Sequence, residues 1–480
     1  MLIVCSILFP VLAGIWACRC PLKEGRTRND YYTGVILVTD LLGILALCFG
    51  KSITLFEFAE NVTLSFGFDN AGRFFLAAVL ILYTAVTFYA YEYMKMEEDP
   101  EIFFTFFFVS LGALIAVCSS SNLVTVYLSF EMATLTSVPL VLHERTPAAV
   151  AAAQKYLFYS VGGALMGLLG VFFVYYYGTG SREFTMGGFL DPAAAGEHRG
   201  ILLAVIFIAL IGFGTKAGMY PMHGWLPAAH PIAPAPASAL LSGIIAKAGI
   251  IAIVRLVYFC VGVDFLKGTW VQNIWMILAM LTVFMGSMMA FREKILKKRL
   301  AYSTISQISY IMLGLSTLSL DGLEGGLLHL MQHAASKGCL FLAAGAIIYK
   351  LGKRDVRSLK GIGKQMPLTM WCFLLASLSL VGIPPMGGFL SKWCLAAAVI
   401  RNGQGVFGIL PIVILLISAL LTAGYLLPVV VDGFFPGKDF DDSGLKPAEP
   451  SGWMTVPMAC LCVVSLVIGI FGSRIVEVLF

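Results

Sequence analysis

Charged side chains are scarce in this sequence. Asp, Glu, Lys and Arg make up only 12% of its 480 residues, whereas hydrophobic residues make up 59% and the mean hydropathy is +0.89. A soluble domain contains about 25% charged residues, so a water-soluble fold of this composition would have too few charges on its surface. The apolar runs are also longer than the alternating segments of about ten residues that form a membrane β-barrel. The composition therefore predicts an all-α integral membrane protein embedded in a lipid bilayer.

Sequence motifs for cofactors are also missing. The eleven cysteines include no Cys-x-x-Cys pair, and the closest pairs, Cys18 with Cys20 and Cys460 with Cys462, are separated by one residue. An iron–sulfur or zinc site with that spacing is therefore excluded. The chain contains no Walker phosphate-binding loop either. We expect no cofactor, no metal, no catalytic residue and no redox centre in this chain, and no nucleic-acid partner.

Long apolar runs fill most of the chain and predict about fourteen transmembrane helices within one transmembrane domain over residues 1–480. The first run, Met1 to Ala17, has no basic residue before it, so we interpret it as a helix and not as a secretory signal. A bilayer is crossed by roughly 20 apolar residues in a helix. The predicted spans are residues 1–18, 31–50, 74–94, 103–119, 121–142, 152–178, 201–221, 235–260, 270–291, 299–318, 325–349, 367–400, 407–431 and 453–476.

The basic residues are distributed unequally between the predicted loops. The odd-numbered loops hold nineteen lysines and arginines, and the even-numbered loops hold six. Because cytoplasmic loops of membrane proteins are enriched in Lys and Arg, this asymmetry predicts that the odd loops face the cytoplasm. With an even number of helices, both termini would then lie on the outer side.

Several ionisable residues fall inside the predicted spans. A lysine at the centre of a membrane helix costs about +2.5 to +3.5 kcal/mol, so such residues need partners or water. The acidic candidates within the spans are Glu131, in the middle of the fifth helix, and Asp40, on the second. The lysines deep within the spans are Lys216, Lys247, Lys337 and Lys392.

These residues are suited to relaying protons. Burial disfavours the ammonium form of a lysine and a nearby carboxylate favours it, so small changes in distance or hydration move a proton on or off. Glu131 and Lys216 would form such a pair. A static salt bridge that fastens two helices explains one pair equally well. It explains four buried lysines poorly, because small residues join membrane helices at lower cost.

Histidines accompany the lysines in two places. His329, His333 and Lys337 follow one another at steps of four, which keeps them near one helical face. Histidine titrates near neutral pH, so this stripe is suited to proton transfer, although two packed core histidines are the alternative. His223 and His230 lie just past the seventh helix. They are either a proton inlet on the cytoplasmic side or ordinary loop residues.

Two predicted helices contain matching interruptions. The segments 220–226 and 384–390 share four of seven residues, including a proline, which opens a helix and frees backbone carbonyls. Such carbonyls are tolerated at membrane depth where they line a wet cavity. About five helices separate the two segments, and an odd number makes repeated units inverted. We therefore expect helices 1–3 in residues 1–100, inverted repeats at 103–260 and 270–431, and helix 14 at 453–476.

The residues around these features resemble a known family. The run from Thr215 to His230, with Lys216-Ala-Gly-Met-Tyr-Pro-Met-His-Gly-Trp-Leu-Pro at its centre, is similar to the signature of the antiporter-like subunits of respiratory complex I. The large subunits of Mrp-type Na⁺/H⁺ antiporters and of energy-converting membrane hydrogenases share it. The surroundings of Glu131, Lys247 and Lys392 resemble further motifs of that family. The resemblance covers about residues 70–430.

The resemblance implies roles for the ionisable residues. Glu131 and Lys216 would form the input pair, Lys247 with His329, His333 and Lys337 the central relay, and Lys392 the exit. Family members lack cofactors and work beside other membrane subunits, where a partner module supplies the driving force. The chain would then move H⁺ or Na⁺ across a prokaryotic plasma membrane, as a subunit of an oxidoreductase complex. We regard five further residues as accessory candidates: Lys155, His223, His230, Arg255 and Asp40.

Three alternatives remain at this point. The chain could be a D-type subunit of an Mrp antiporter without a redox module, and a lysine at position 392, where some members have glutamate, favours the Mrp- or hydrogenase-like branch. A stand-alone secondary transporter would need a roomy site at mid-membrane instead of a row of charges. A purely structural scaffold would need the lysines for assembly and not for ion flux.

Overall fold

The computed structural model describes residues 1–19, 25–180, 182–190, 196–438, 440, 441 and 444–479. Cys20 and Lys23 lie outside these ranges. Within them, twelve helices are long and apolar enough to cross a bilayer. This confirms the prediction of an all-α, multi-pass integral membrane protein. The total of fourteen spans and the two inverted repeats stay predictions.

The helices follow the apolar runs closely. In the first half of the chain they are α1 (Leu2–Arg19), α2 (Arg26–Phe49), α3 (Asn70–Tyr93), α4 (Pro100–Ser119), α5 (Leu123–Leu142), α6 (Pro147–Tyr177), α7 (Arg199–Lys216), α8 (Leu226–Ala229), α9 (Ala235–Gly243), α10 (Ala248–Val254) and α11 (Val263–Leu266). In the second half they are α12 (Trp270–Arg292), α13 (Leu296–Leu315), α14 (Leu320–Leu351), α15 (Ile362–Gln365), α16 (Pro367–Val381), α17 (Gly387–Asn402), α18 (Val406–Phe434) and α19 (Gly452–Leu479).

Both predicted interruptions are present as breaks between helices. The seventh span stops at the end of α7, and the chain continues through a bend into α8. The twelfth span is divided into α16 and α17, and Gly382 caps α16 in the left-handed region (φ 94°), which glycine adopts without steric cost. Each break contains a cis X–Pro peptide bond, at Pro221 and at Pro385.

A third break was not predicted. The eighth span consists of α9, one 3₁₀ turn (Ile245–Lys247), α10 and a π-helical turn (Arg255–Val261). No proline lies between α9 and α10, and the local sequence signal is the Ser242-Gly243 pair, of the kind at which helices also kink. The carbonyls at the end of α9 are nevertheless freed from the helical ladder, and they become part of the site described below.

A β-hairpin outside the helical bundle was also missed. Strand β1 (Ile53–Ala59) pairs antiparallel with β2 (Val62–Phe66). The Asn122 side chain, which caps the start of α5, donates hydrogen bonds to Thr63 O (3.0 Å) and Ser65 Oγ (2.7 Å). The hairpin is thus attached to the end of the α4–α5 connection. Its strands are short and β1 is mostly exposed, so they lack the apolar alternation by which strands are recognised.

Helix α14 forms the centre of the molecule. It packs against α3, α9, α13, α16, α17 and α19, and its residues from Leu327 to Ile347 are fully buried or nearly so. Peripheral helices such as α2 and α18 expose large apolar side chains, as expected of lipid-facing surfaces. The polar side chains on this buried stretch of α14 are therefore shielded from water by a surrounding layer of helices.

Candidate functional site

Lys216 is the last residue of α7 and is fully buried. Its ammonium group donates hydrogen bonds to Thr134 Oγ1 (2.9 Å) and to the Tyr156 hydroxyl, and it lies 4.4 Å from the centroid of the Tyr156 ring. Tyr156 is held in turn by Ser137, whose Oγ is 2.7 Å from the tyrosine hydroxyl. Two neutral hydroxyl groups thus surround this charge.

Glu131 does not contact Lys216 directly. It lies one turn before Thr134 on α5, within electrostatic range of the ammonium group, and its Oε1 atom is buried without a hydrogen-bond partner. Glu131 and Lys216, which the sequence predicted as a pair, therefore form no ion pair in the structure. The Lys216 ammonium group is hydrogen-bonded to the Thr134 hydroxyl instead. A carboxylate at this separation influences the charge on the lysine without fixing it in a salt bridge.

Lys247 is held by the unexpected break in the eighth span. The residue is fully buried, and its Nζ donates to Ser242 O (3.0 Å) and to Gly243 O. These are the last carbonyls of α9, where the helix dipole gives a partial negative charge. The break thus supplies the acceptors that a buried ammonium group requires, without any carboxylate.

Lys392 is bound in the same way at the break in the twelfth span. Its Nζ donates to Leu380 O (2.6 Å) and Val381 O (3.0 Å), the last carbonyls of α16. The ammonium group also lies 5.0 Å from the centroid of the Tyr310 ring, which adds a cation–π contact. Two of the four predicted lysines therefore bind the carboxyl ends of broken helices.

The stripe on α14 connects these two lysines. Lys337 donates to Leu300 O (3.0 Å), and Lys247 lies within electrostatic range of both Lys337 and His333. The His333 ring is fully buried, with its centroid 6.2 Å from that of His329. Both nitrogens of His333 lack a hydrogen-bond partner, which leaves them free to accept or donate a proton.

His329 links the His–Lys stripe on α14 to the helix break at which Lys392 is bound. Its Nδ1 lies 3.0 Å from Ser391 Oγ and 3.3 Å from Gln332 Nε2. Ser391 directly precedes Lys392, and the lysine is within electrostatic range of His329. The hydroxyl and amide groups at these contacts were not predicted, because isolated Ser, Gln and Tyr residues give no pattern in the sequence.

The structure thus places the seven main candidates in one row, of which five are fully buried and Glu131 and Lys392 are half-buried. Lys216 packs against Gly249, two residues from Lys247, and Lys247 lies within electrostatic range of Lys337 on α14, so the row passes from the first half of the chain into the second. We call this row the lysine–histidine file, and its members in order are Glu131, Lys216, Lys247, Lys337, His333, His329 and Lys392.

The accessory candidates near α7 and α8 occupy different environments. Lys155 is exposed, 6.0 Å from the Tyr159 ring centroid, and His223 stacks on Tyr220 at 5.8 Å. His230 is fully buried and stacks on Phe341 at 4.8 Å, with neither nitrogen hydrogen-bonded. His230 is therefore not an ordinary loop residue, and it lies within electrostatic range of Lys337 in the file.

Arg255 and Asp40 lie apart from the file. Arg255 is fully buried and forms a two-point ion pair with Asp69, the N-cap of α3, in which Nη2 is 2.7 Å from Oδ1. Its guanidinium also lies 4.6 Å from the centroid of the Phe184 ring. Asp40 is on the peripheral helix α2 and accepts a hydrogen bond from Thr84 (2.7 Å). Arg255 therefore fastens helix ends together.

A further buried lysine was assigned to a loop by the sequence reasoning. Lys297 lies at the start of α13 and donates to Ala233 O, within electrostatic range of Glu144. Burial and the negative charge of Glu144 raise the pKa of Glu97, which lies in the α3–α4 connection. Basic runs in loops predict exposed charges, so the sequence offered no signal that this one is enclosed.

Comparison with known proteins identifies the family. Residues 120–422 match the family described as NADH:quinone oxidoreductase/Mrp antiporter, TM, and the matched region includes the whole file. The chain belongs to this family. Among the described residues, no group of three or more His, Cys, Asp or Glu side chains is arranged to hold a metal ion.

Relatives within the NADH:quinone oxidoreductase/Mrp antiporter family come from different complexes. NADH-quinone oxidoreductase subunit N of Desulforudis audaxviator is 32% identical over 402 residues, which is 81% of this chain and 78% of the relative. Hydrogenase-4 component B of Escherichia coli is 33% identical over 355 residues, 70% of this chain but only 51% of that protein. The D-type subunit of the Na⁺/H⁺ antiporter of Alkalihalophilus pseudofirmus is 25% identical over 99% of this chain and 95% of its own.

Solved structures share the fold over the whole chain. A chain of the archaeal membrane-bound sulfane sulfur reductase superimposes with a TM-score of 0.84 at 21% identity, covering 99% of this chain and 96% of its own. A chain of the Mrp complex from Dietzia gives 0.83 at 22% identity, covering 100% and 96%. The sequence resemblance to this family is therefore confirmed, and the fold is that of its antiporter-like subunits.

Proposed function

We propose that this chain is an antiporter-like subunit of a multisubunit membrane complex and that it translocates protons along the lysine–histidine file. The observation that carries this proposal is the continuity of the file. Six ionisable side chains, from Lys216 to Lys392, lie in or near the helix breaks or on α14, and five of them are fully buried. Ionisable groups are retained at membrane depth chiefly for transport. Relatives named as subunits of an NADH-quinone oxidoreductase, a hydrogenase and a Na⁺/H⁺ antiporter support the same role.

The contacts in the file favour protons over Na⁺ as the ion that moves. A sodium ion needs several oxygen ligands, whereas the file consists mainly of nitrogen groups that are themselves cationic when protonated. The carbonyls at the ends of α9 and α16 are already occupied by Lys247 and Lys392. A proton can pass between such nitrogen groups through hydroxyls and water. Na⁺ transport, if it occurs, would use another part of the complex.

Repulsion between neighbouring lysines would move the protons in sequence. Lys247 lies within electrostatic range of Lys337, so a second positive charge is disfavoured while the first is present. A proton arriving at Lys247 would therefore favour release from Lys337, the next member of the file. Glu131 sets the charge at the start, because it is close enough to favour the ammonium form of Lys216 but is not bonded to it.

The driving force would come from partner subunits. We expect other membrane subunits of a complex I-, hydrogenase- or Mrp-like assembly beside this chain, in a prokaryotic plasma membrane with both termini outside. The D-type subunit of an Mrp antiporter is the second candidate. It is favoured by the match to the Alkalihalophilus antiporter, which extends over nearly the full length of both chains.

The proposed architecture completes this picture. We infer fourteen spans with two inverted repeats, at residues 103–260 and 270–431. The two similar helix breaks support the repeat. Each break contains a proline, and each lies next to a lysine of the file, Lys216 or Lys392. The charge asymmetry of the loops supports the orientation.

Proton flux in vesicles containing the purified complex tests the proposed function. We expect Lys247→Met to reduce flux to near the background rate, because methionine keeps most of the length of the unbranched side chain and removes the charge. The matched control is Lys360→Met, on an exposed lysine in a loop. Normal flux in Lys247→Met vesicles would contradict the proposal. Sodium flux measured in the same vesicles distinguishes the two candidate assemblies.

A further inference from the structure

A deep apolar groove runs along the side of the molecule between α2, α3 and α19. Its volume is about 950 Å³. We call it the flank groove and define it by Asp40 and Ile44 on α2, Ile81 and Thr84 on α3, and Trp453 and Val456 on α19. Ile44 and Val456 are 53% and 59% exposed, so the groove is open from the side. It lies apart from the lysine–histidine file.

One acidic side chain lies in this apolar groove. Asp40 is about 20 Å from the start of α2 and about 14 Å from its end, at 1.5 Å per residue, which places it well inside the bilayer. Its Oδ2 atom accepts a hydrogen bond from Thr84 (2.7 Å), but Oδ1 is buried and has no hydrogen-bond partner. Within the described ranges, no lysine, arginine or histidine forms an ion pair with it. A carboxyl group at this depth needs a partner that this chain does not supply.

We propose that the flank groove receives a transmembrane helix of a neighbouring subunit, which places a hydrogen-bond donor, neutral or cationic, against Asp40. The Asp40 carboxyl group favours a protein helix over a lipid, because it lines the groove with Thr84 as its one hydrogen-bond donor among the described residues, and an acyl chain has no donor to offer. Small residues in the groove, such as Ala85 and Gly452, allow a helix backbone to approach closely. The inference rests on the proposed function only in requiring that the chain works within a multisubunit complex.

An aromatic cluster near the start of α19 would position the incoming helix. The Trp453 ring stacks on Phe88, with centroids 6.3 Å apart, and also contacts Tyr91 at 5.8 Å. These aromatic side chains join α3 to α19 near the start of α19. An occupant would therefore extend from this aromatic end towards Asp40, with its donor side chain near the middle of the bilayer.

Photo-crosslinking in the intact complex tests the occupant directly. A benzoylphenylalanine in place of Ile44 or Val456 should give an adduct that mass spectrometry maps to a membrane span of another subunit, one that carries a donor side chain. The control position is Val38, which is 40% exposed on the opposite side of α2. Adducts with lipid alone, or with a span that has no polar side chain, would overturn the proposal.

Substitution of Asp40 provides a second test. Asp40→Leu should abolish the adduct from Ile44 and release that subunit during native electrophoresis, whereas Val38→Leu, on the opposite side of α2 and outside the groove, should leave both unchanged. The crosslink in the otherwise unaltered protein remains informative if Asp40→Leu does not fold. Intact assembly and an unchanged adduct in a folded Asp40→Leu variant would disprove the role of Asp40. Failure of the proposed transport function would be recognised separately, because the Lys247→Met variant would then show normal proton flux.

Discussion

At the level of single residues, neutral hydrogen-bond acceptors stabilise the buried ammonium groups of the file. Lys247 and Lys392 each bind two carbonyls at the end of a broken helix, and Lys216 binds two hydroxyls. A carboxylate in direct contact would hold an ammonium group in one protonation state. Dipolar acceptors stabilise it less, so the group can still lose its proton. This difference separates a relay from a static salt bridge.

The Tyr156 hydroxyl offers a test at this level. Tyr156→Phe removes one of the two acceptors of the Lys216 ammonium group while keeping the ring beneath it. A hydrogen bond to a charged group contributes about 1.5–3 kcal/mol, so we expect proton flux to fall by about tenfold or more. The measurement is flux in vesicles with equal amounts of assembled complex. Tyr159→Phe, one turn away on α6, is the control and should retain normal flux.

Among the helices and the turns between them, ionisable residues serve two distinct purposes. The file residues lie at helix breaks or on the buried α14, whereas Arg255 lies in the π-helical turn and holds the start of α3 through Asp69. In the sequence, both classes are charged residues in apolar runs. Only the packing of the helices shows which of these charged residues lie close to one another and which form an ion pair with a carboxylate.

Replacement of Arg255 distinguishes these two purposes. Arg255→Met leaves Asp69 without its partner, and because the Asp69 side chain is 31% exposed we expect a cost below the about 3–5 kcal/mol of breaking a fully buried pair. We expect a clearly lower midpoint of thermal unfolding in detergent, with near-normal flux from the folded complex at low temperature. Arg401→Met is the control, because its pair with Asp321 is exposed and contributes little. Lost flux without lost stability would place Arg255 in the transport path.

For the molecule as a whole, the unequal distribution of Lys and Arg between the loops predicts the orientation of the chain in the membrane. In the proposed topology of fourteen spans, the β-hairpin lies in the second connection and the basic segment at 353–364 in the eleventh, and the positive-inside rule would place them on opposite sides of the membrane. The file would then run between these two surfaces. The direction of pumping depends on this orientation, since the inlet and the outlet of the file must open to opposite sides.

Labelling from either side of the membrane tests the orientation. In a variant whose exposed cysteines are replaced by serine, Lys267→Cys should react with an impermeant maleimide added outside whole cells. Lys360→Cys should react only after the cells are opened. Both side chains are exposed in the structure, so accessibility within the protein is matched. The reverse pattern would invert the proposed topology.

The membrane class, the approximate ends of the helices and the residues of the file were all predictable before any contact was known. These features follow from composition and from the length of the apolar runs, which act locally along the chain. The two proline-containing breaks were predictable for the same reason, because proline removes a backbone donor wherever it lies.

The partners of the buried groups, in contrast, became apparent only from the packed helices. The break before Lys247, the hydroxyls around Lys216 and the burial of Lys297 depend on helices that are distant in sequence. The absence of a direct contact between Glu131 and Lys216 likewise depends on how α5 and α7 pack. In a bilayer every helix is apolar, so hydrophobic patterning does not specify which faces pack together. The partners of the buried charges are therefore set by packing and hydrogen bonding between helices.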